Sequence, residues 1–171
     1  ILDTAIKLKV IATASTGTNH IDKEYLTKKN IDVLSLTEER EIINKISSTA
    51  EHAFGLTLSG LRRIINSHND ALEGMWDYTK YIGRQMNYLT IGVVGYGRLG
   101  SLYAKYCKAF EAKVLVFDPY KKVEQKGVIQ VDNLKMLSQL SDVVSLHVHV
   151  NEETTGMINE DLFREMKKDV L

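Results

Sequence analysis

The sequence has one cysteine, one proline and no excess of charge of either sign. Cys107 alone cannot form an internal disulfide or a cysteine-rich metal site, so we expect it to pack inside a helix. The 22 basic residues balance the 22 acidic ones, which argues against nucleic acid or an anionic membrane as a partner. No apolar run approaches the roughly 20 residues of a membrane span. We therefore expect a cytoplasmic protein.

Short apolar runs alternate with longer amphipathic ones, which is typical of a parallel sheet covered by helices. The apolar runs predict strands at 8–14, 31–36, 89–95, 112–118 and 142–148. The segments between them predict helices, of which the longest covers 49–65. The polar Ser47-Ser48 pair predicts a boundary between one domain at 1–47 and a second at 48–171.

A glycine motif follows the third predicted strand and opens a predicted helix. Residues 95–100, Gly-Tyr-Gly-Arg-Leu-Gly, fit G-x-G-x-x-G, and Asp118 ends the next predicted strand. Gly95 would permit the tight turn, Gly97 would let the backbone approach a diphosphate, and Gly100 would let the helix pack closely on the strand. This arrangement predicts a dinucleotide site.

The cofactor predicted for this site is NAD. The diphosphate would rest on the N–H groups of Arg98 and Leu99, at the positive end of the helix dipole. Asp118 would accept hydrogen bonds from the adenosine ribose hydroxyls and repel a 2′-phosphate, so NADH is favoured over NADPH. Two other interpretations stay open: a connecting turn without a ligand, and the related turns of flavin or S-adenosylmethionine proteins.

With these residues in place, the chain resembles the D-isomer-specific 2-hydroxyacid dehydrogenases. The similar segments are LKVIATASTGTNHID (8–22), STAEHAFGLTLSGLRR (48–63), EGMW (73–76), LTIGVVGYGRLG (89–100), VFDPY (116–120), LSDVVSLHVHVNEETTGMIN (140–159) and LFREMKKDVL (162–171). The GTNHID form is most similar to the phosphoglycerate dehydrogenase branch of the family.

The resemblance implies a Rossmann-type, doubly wound NAD-binding domain at 48–171 and part of a smaller, flavodoxin-like substrate domain at 1–47. It implies NAD-dependent interconversion of a D-2-hydroxy acid and its 2-oxo acid, of the phosphoglycerate, glycerate or lactate type. We also expect a homodimer through the NAD-binding domain. The alternative is a non-catalytic, NAD-responsive regulatory module of the same fold.

The resemblance also assigns roles to residues of this chain. In the STGT loop, Thr16, Gly17 and Thr18 would bind the substrate carboxylate, and Thr16 would also approach NAD. An ordinary loop that leaves a strand is the alternative interpretation. His147 and Val148 would contact the nicotinamide side of the cofactor through their backbone.

The catalytic arginine, glutamate and histidine of the family would lie beyond Leu171. The chain starts without a methionine and stops just as an apolar run begins, so we expect a fragment that binds NAD without turnover. It departs from the family at His147-Val148-His149, where His-x-Pro is usual, and at 37–47, a longer stretch in which we expect an additional helical turn.

Overall fold

A computed structural model describes residues 2–18 and 20–171; Asn19 of the GTNHID segment therefore lies outside the described residues. The chain divides into two compact units, one ending at Ile46 and the other covering Ser47–Leu171. Each unit has its own parallel strands and its own buried apolar residues.

The first unit is a small two-stranded α/β arrangement. Its elements in chain order are a 3-10 turn at Leu2–Thr4, β1 (Val10–Thr13), α1 (Lys23–Lys28), β2 (Asp32–Ser35), a 3-10 turn at Leu36–Glu38 and α2 (Arg40–Ile43). The two strands are parallel and pair Val10 with Asp32. The Asp22 carboxylate caps α1 by accepting the Tyr25 N–H at 2.9 Å. Helix α2 confirms the helical turn predicted within 37–47.

The second unit contains a parallel sheet of four strands within its described residues. Its elements are α3 (Ser48–Leu61), α4 (Ile64–Leu72), 3-10 turns at Tyr78–Tyr81 and Met86–Tyr88, β3 (Thr90–Val94), α5 (Arg98–Ala109), β4 (Lys113–Phe117), β5 (Val128–Gln130), α6 (Leu134–Leu140), β6 (Val143–Leu146) and α7 (Glu160–Glu165). The strand order is β5-β4-β3-β6. Among the described helices of the chain, none combines the length and the apolar character needed to cross a membrane.

Helices cover both faces of this sheet. Along β3, Ile91 belongs to a core cluster that includes Tyr103 and Cys107 of α5, whereas Val94 belongs to a second cluster that includes Leu137 of α6. Side chains of a strand alternate between faces, so both faces of β3 are buried. This explains why the strand is apolar at nearly every position instead of at every second one.

The prediction of a single helix over 49–65 is wrong, because the helix is interrupted between α3 and α4. Arg63 has a φ of 52°, in the left-handed region. The Leu61 carbonyl accepts the Arg84 N–H at 3.0 Å, and an ideal Cβ on Gly83 would lie only 2.3 Å from that carbonyl oxygen. A tertiary contact with residues 83–84 therefore accompanies the end of the first helix at Leu61.

The order in which strands are added to the sheet reverses at β3. It proceeds from β3 to β4 and β5 on one side, then crosses to place β6 on the other side of β3. Parallel sheets form a crevice at the carboxyl ends of the two strands that flank such a reversal, and ligands bind there. Here those ends are at Val94 and Leu146, directly before the glycine motif and before His147.

Candidate nucleotide-binding site

Two glycines of the motif are required by the fold itself. Gly95 has a φ of 88°, and an ideal Cβ there would lie 2.8 Å from the His147 carbonyl oxygen. A Cβ on Gly100 would lie 2.0 Å from the Gly95 carbonyl oxygen. These distances leave no room for a side chain at either position. The turn can therefore bring α5 and the end of β6 close to β3 only with glycine at both places.

Gly97 has a different environment. It is the N-cap of α5, with φ −71° and ψ −164°, a conformation open to any residue, and a Cβ built there meets nothing within 4 Å. Neither backbone strain nor a protein contact requires glycine at this position. The space in front of it faces the first turn of α5, where N–H groups lack carbonyl partners within the helix. The geometry fits a diphosphate held against the backbone.

Asp118 is joined to the glycine turn by a direct hydrogen bond. Its Oδ2 accepts the Tyr96 N–H at 2.7 Å, while its Oδ1 accepts the N–H groups of Tyr120 at 2.9 Å and Lys121 at 3.0 Å. The carboxylate is half-buried at the end of β4. Three backbone donors thus hold the predicted ribose-binding group beside the predicted diphosphate site, and Oδ2 keeps acceptor capacity for a ligand hydroxyl.

Two side chains that the sequence did not single out organise the loop after β4. The Tyr96 hydroxyl donates to the Gln125 side chain. The Gln130 side chain forms three hydrogen bonds with the backbone of residues 118–123. Tyr96 occupies a position of the glycine motif that can be any residue, and Gln130 lies outside the motif, so the motif predicts neither role. Strand β5, which carries Gln130, was missed because three residues are too few for a periodic pattern.

His147 lies on the floor of the crevice. Its N–H donates to the Val94 carbonyl at 2.8 Å, and its ring centroid is 4.9 Å from that of Tyr103. Its Nε2 is 2.9 Å from the Ser145 hydroxyl oxygen. Burial lowers the pKa of the imidazole. The ring is therefore packed against α5, and the backbone of this residue is what borders the glycine turn.

The neighbours of His147 also border the crevice. Val148 is 37% exposed, and its Cγ1 would lie 2.8 Å from a Cβ on Gly95. In the segment where the family's proline is missing, the His149 carbonyl accepts the Thr154 hydroxyl at 2.6 Å, and the Asn151 amide oxygen accepts the Thr154 N–H at 2.9 Å. Hydrogen bonds from Thr154 thus hold this turn together.

Beneath the crevice, α5 buries two titratable groups. The Tyr103 hydroxyl is 2.7 Å from the Thr57 hydroxyl of α3. Burial raises the pKa of Tyr103 above its usual value and that of Cys107 to about 12. Cys107 is fully buried in the core, as predicted. No cluster of three or more metal-ligating His, Cys, Asp or Glu side chains occurs among the residues that the structure describes.

In the first unit, the loop that was predicted to bind substrate is organised by Ser15. The Ser15 hydroxyl accepts the Gly17 N–H at 3.1 Å and donates to the Gly17 carbonyl at 2.8 Å. The Thr37 hydroxyl donates to the Thr16 carbonyl at 3.2 Å. Thr16, Gly17 and Thr18 are half-buried. A carboxylate that used the Gly17 N–H would have to share it with Ser15, which sequence reasoning did not foresee.

The candidate nucleotide site lies in a stretch that matches a known protein family. Residues 54–171 match the D-isomer-specific 2-hydroxyacid dehydrogenase NAD-binding domain. The chain is 37% identical over its whole length to D-3-phosphoglycerate dehydrogenase of Archaeoglobus fulgidus, of which it covers 32%. It is 36% identical over 98% of its length to glyoxylate reductase of Thermofilum pendens, of which it covers 50%.

The structure is similar to solved members of the same group. D-lactate dehydrogenase of Aquifex aeolicus, in a complex with NAD and lactic acid, superposes with a TM-score of 0.80 at 36% identity. The match covers 96% of this chain and 48% of that one, so the chain spans half or less of each of these three proteins. The predictions of a Rossmann-type fold and of NAD as the cofactor of that fold are confirmed. The chain belongs to the D-isomer-specific 2-hydroxyacid dehydrogenase family, and residues 54–171 match the NAD-binding domain of that family.

Proposed function

We propose that the second unit binds NAD with its diphosphate at the N-terminus of α5. The observation that carries this proposal is the open space at Gly97, which neither backbone conformation nor packing explains. The N–H groups of Arg98 and Leu99 would receive the diphosphate, and Gly95 and Gly100 would give the turn its shape. The nicotinamide end would lie against the backbone of His147 and Val148 at the end of β6.

Asp118 selects NADH over NADPH in this proposal. Its Oδ2 lies beside the glycine turn through the Tyr96 N–H and has capacity for a ribose hydroxyl. A 2′-phosphate at the same place would add two negative charges beside a carboxylate that is fixed by three backbone donors. The dinucleotide without that phosphate is therefore the better fit.

For the whole protein we propose NAD-dependent interconversion of a small D-2-hydroxy acid and its 2-oxo acid. The relatives' names, phosphoglycerate dehydrogenase, glyoxylate reductase and lactate dehydrogenase, support this substrate class. NAD, when bound, supplies the acceptor for the hydride that leaves C2 of the hydroxy acid, while the hydroxyl proton passes to a base. The first unit, which ends at Ile46, would be part of the substrate domain that the sequence predicts at 1–47, in which Thr16, Gly17 and Thr18 hold the carboxylate.

The chain itself is expected to bind NAD without turnover. The family's arginine, glutamate and histidine have no assigned counterparts in this chain, and the chain covers only 32% of the phosphoglycerate dehydrogenase and 50% of the glyoxylate reductase named above. Loss of the acid/base group alone typically removes about 10²–10⁴-fold of the rate. His147 does not replace it, because its ring packs against Tyr103 below the crevice.

A direct test titrates the chain with NADH and with NADPH by calorimetry and assays NADH oxidation with hydroxypyruvate, glyoxylate and pyruvate. Binding of NADH in preference to NADPH, without turnover, supports the proposal. Absence of NADH binding refutes it. Turnover by this chain would show that the catalytic groups are misassigned. A longer protein that binds NAD but turns over no 2-oxo acid would favour the regulatory module.

We further propose that two copies associate through α4 and the segment that follows it. Large apolar side chains are exposed there, which is unusual for a surface that faces only water. They are Ile64, Ile65, Leu72, Trp76, Tyr78 and Ile82, with exposures from 49% to 91%. A second copy is the occupant that the family resemblance favours. We also propose a cytoplasmic location, with which the free thiol of Cys107 is compatible.

A further inference from the structure

Strand β5 ends on an exposed glutamine whose amide is fully engaged with a loop. Gln130 Nε2 donates to the Lys121 carbonyl at 2.7 Å and to the Asp118 carbonyl at 3.1 Å, while its Oε1 accepts the Val123 N–H at 3.0 Å. Turned over, the amide would present its oxygen to two carbonyl oxygens, so the network admits only one orientation. One side chain therefore fixes three backbone groups across residues 118–123.

The same loop is folded from its other side by the Asp118 carboxylate. The two side chains bind different backbone groups of Lys121. The Asp118 carboxylate accepts its N–H, and the Gln130 amide donates to its carbonyl. Gln130 also binds the carbonyl of Asp118 itself. The backbone at both ends of this short turn is thus held by Gln130, and the position of the carboxylate depends on that backbone.

Sheet geometry explains how the glutamine reaches the loop. β5 is the edge strand next to β4, and Gln130 pairs with Val116, two residues before Asp118. Parallel strands end at the same edge of the sheet, so a long side chain at the last residue of β5 can extend past the end of β4. Gln130 is exposed, and no packing role in the core accounts for its bonds.

We propose that Gln130 is a positioning residue for the dinucleotide site, which holds the Asp118 carboxylate where it meets the adenosine ribose. This inference rests on the proposed NAD-binding function. Gln130 does not touch the cofactor in this proposal; it acts through the loop and the carboxylate. Its effect therefore concerns the ribose end and the discrimination between NADH and NADPH, and it vanishes when the Asp118 carboxylate is absent.

The test uses the 171-residue chain and Gln130→Met, which keeps the length of the side chain but removes all three bonds. We expect NADH binding to weaken about tenfold, and the ratio of NADPH to NADH dissociation constants to fall by a similar factor, because the carboxylate is no longer fixed. A simple loss of folded protein would weaken both dinucleotides equally and leave the ratio unchanged. Gln139→Met makes the same chemical change at an exposed glutamine that bonds Glu165 on α7, and it should leave both constants unchanged.

A double-mutant cycle decides whether Gln130 acts through Asp118. In an Asp118→Ala background, Gln130→Met should weaken NADH binding no further. Gln130→Ala, which also removes all three bonds and adds no charge, provides a second variant if the methionine variant unfolds, and it should lower the ratio in the same direction. An unchanged ratio in folded Gln130 variants, or an undiminished effect in the Asp118→Ala background, overturns this inference alone. Failure of the wild-type chain to bind NADH overturns the proposed function and this inference together.

Discussion

Gly100 and Gly95 are in contact at a distance that excludes any side chain, since a Cβ on Gly100 would lie 2.0 Å from the Gly95 carbonyl oxygen. Gly97, between them in the sequence, would bring its Cβ within 4 Å of nothing. The fold therefore requires glycine at Gly95 and Gly100, whereas at Gly97 it does not, and we propose that a ligand accounts for the glycine there.

Gly97→Ala should fold normally and bind NADH at least tenfold more weakly, because its methyl group occupies the space proposed for the diphosphate. Gly100→Ala should instead lose about 1–3 kcal/mol of unfolding free energy, the usual cost of overpacking. Calorimetric titration and urea unfolding of both variants separate the two effects. Equal NADH affinity in a folded Gly97→Ala chain would mean that the diphosphate lies elsewhere.

Asp118→Asn should narrow the preference for NADH over NADPH, because the charge that repels a 2′-phosphate is removed. The variant also loses one acceptor for the Tyr96 N–H or for the Tyr120 and Lys121 N–H groups, so NADH affinity should fall as well. Parallel titrations with both dinucleotides measure the ratio. A wild-type chain that binds NADPH as tightly as NADH would refute the assignment of Asp118.

Asp142 joins the start of β6 to three groups elsewhere in the second unit. It accepts the Thr90 N–H at 2.8 Å, the Arg84 guanidinium at 2.9 Å and the Lys167 ammonium at 3.0 Å. Burial alone would raise its pKa, but these donors and charges outweigh burial and hold the pKa below the usual aspartate value. Because its pKa is lowered in the folded state, Asp142 makes its complete contribution to stability above about pH 4. That contribution is lost as the pH falls through the pKa of the folded state.

Asp142→Asn should therefore cost about 2 kcal/mol of unfolding free energy at pH 7 and less as the pH falls below 4. Urea unfolding from pH 2.5 to pH 7 measures this difference. Asp132→Asn, at an exposed position before α6, is the matched control. A constant difference across that pH range would contradict a charge-dependent role for Asp142.

His147 should give a second, separate pH dependence. Because burial lowers its pKa in the folded state, the unfolded chain takes up the proton first as the pH falls. With respect to His147, the folded chain is most stable above about pH 6.5 and loses stability as the pH falls below that value. The loss ends once the pH is below the pKa of the folded state. His147→Gln should remove this pH dependence of the unfolding free energy. The measurement is the difference between the unfolding free energies of the wild-type chain and the variant from pH 5 to pH 8. Parallel curves would show that the buried ring does not titrate differently on folding.

Trp76, exposed to 91%, tests the proposed dimer. Trp76→Glu places a charge in the middle of the apolar segment and should shift sedimentation towards the monomer while leaving NADH binding unchanged. Glu124→Lys, a charge change at an exposed position of the loop between β4 and β5, should leave the association unchanged. Unaltered association of Trp76→Glu would move the interface elsewhere.

The periodic parts of the fold could be predicted from the sequence, and the parts set by tertiary contacts could not. β3 and α5 stand out because apolar periodicity, glycine spacing and a terminal acid coincide over 30 residues. The break at Arg63 instead coincides with the approach of Gly83 and Arg84 to the Leu61 carbonyl, about 20 residues away in sequence. The local sequence at Arg62 and Arg63 does not predict that contact.

The site shows the same division. Asp118 can be proposed from the sequence because an acid at the end of the second strand has a recognisable spacing, and the structure places it beside Tyr96 of the glycine turn. Gln130 was missed because its importance lies in the three backbone groups it reaches, none of which is adjacent to it in sequence. Ser15 lies in the STGT loop that the sequence indicates, but no sequence pattern predicts its two hydrogen bonds to Gly17.

The burial of Cys107 makes the chain convenient for chemical labelling. Its thiol is fully buried and its pKa is raised to about 12, so the reactive thiolate is scarce and shielded at neutral pH. A maleimide dye should therefore attach to a cysteine introduced on the surface without prior removal of the native one. In the unmodified chain, the rate of alkylation of Cys107 would report how often the core around α5 opens, so the one thiol of the chain can be used to measure local unfolding.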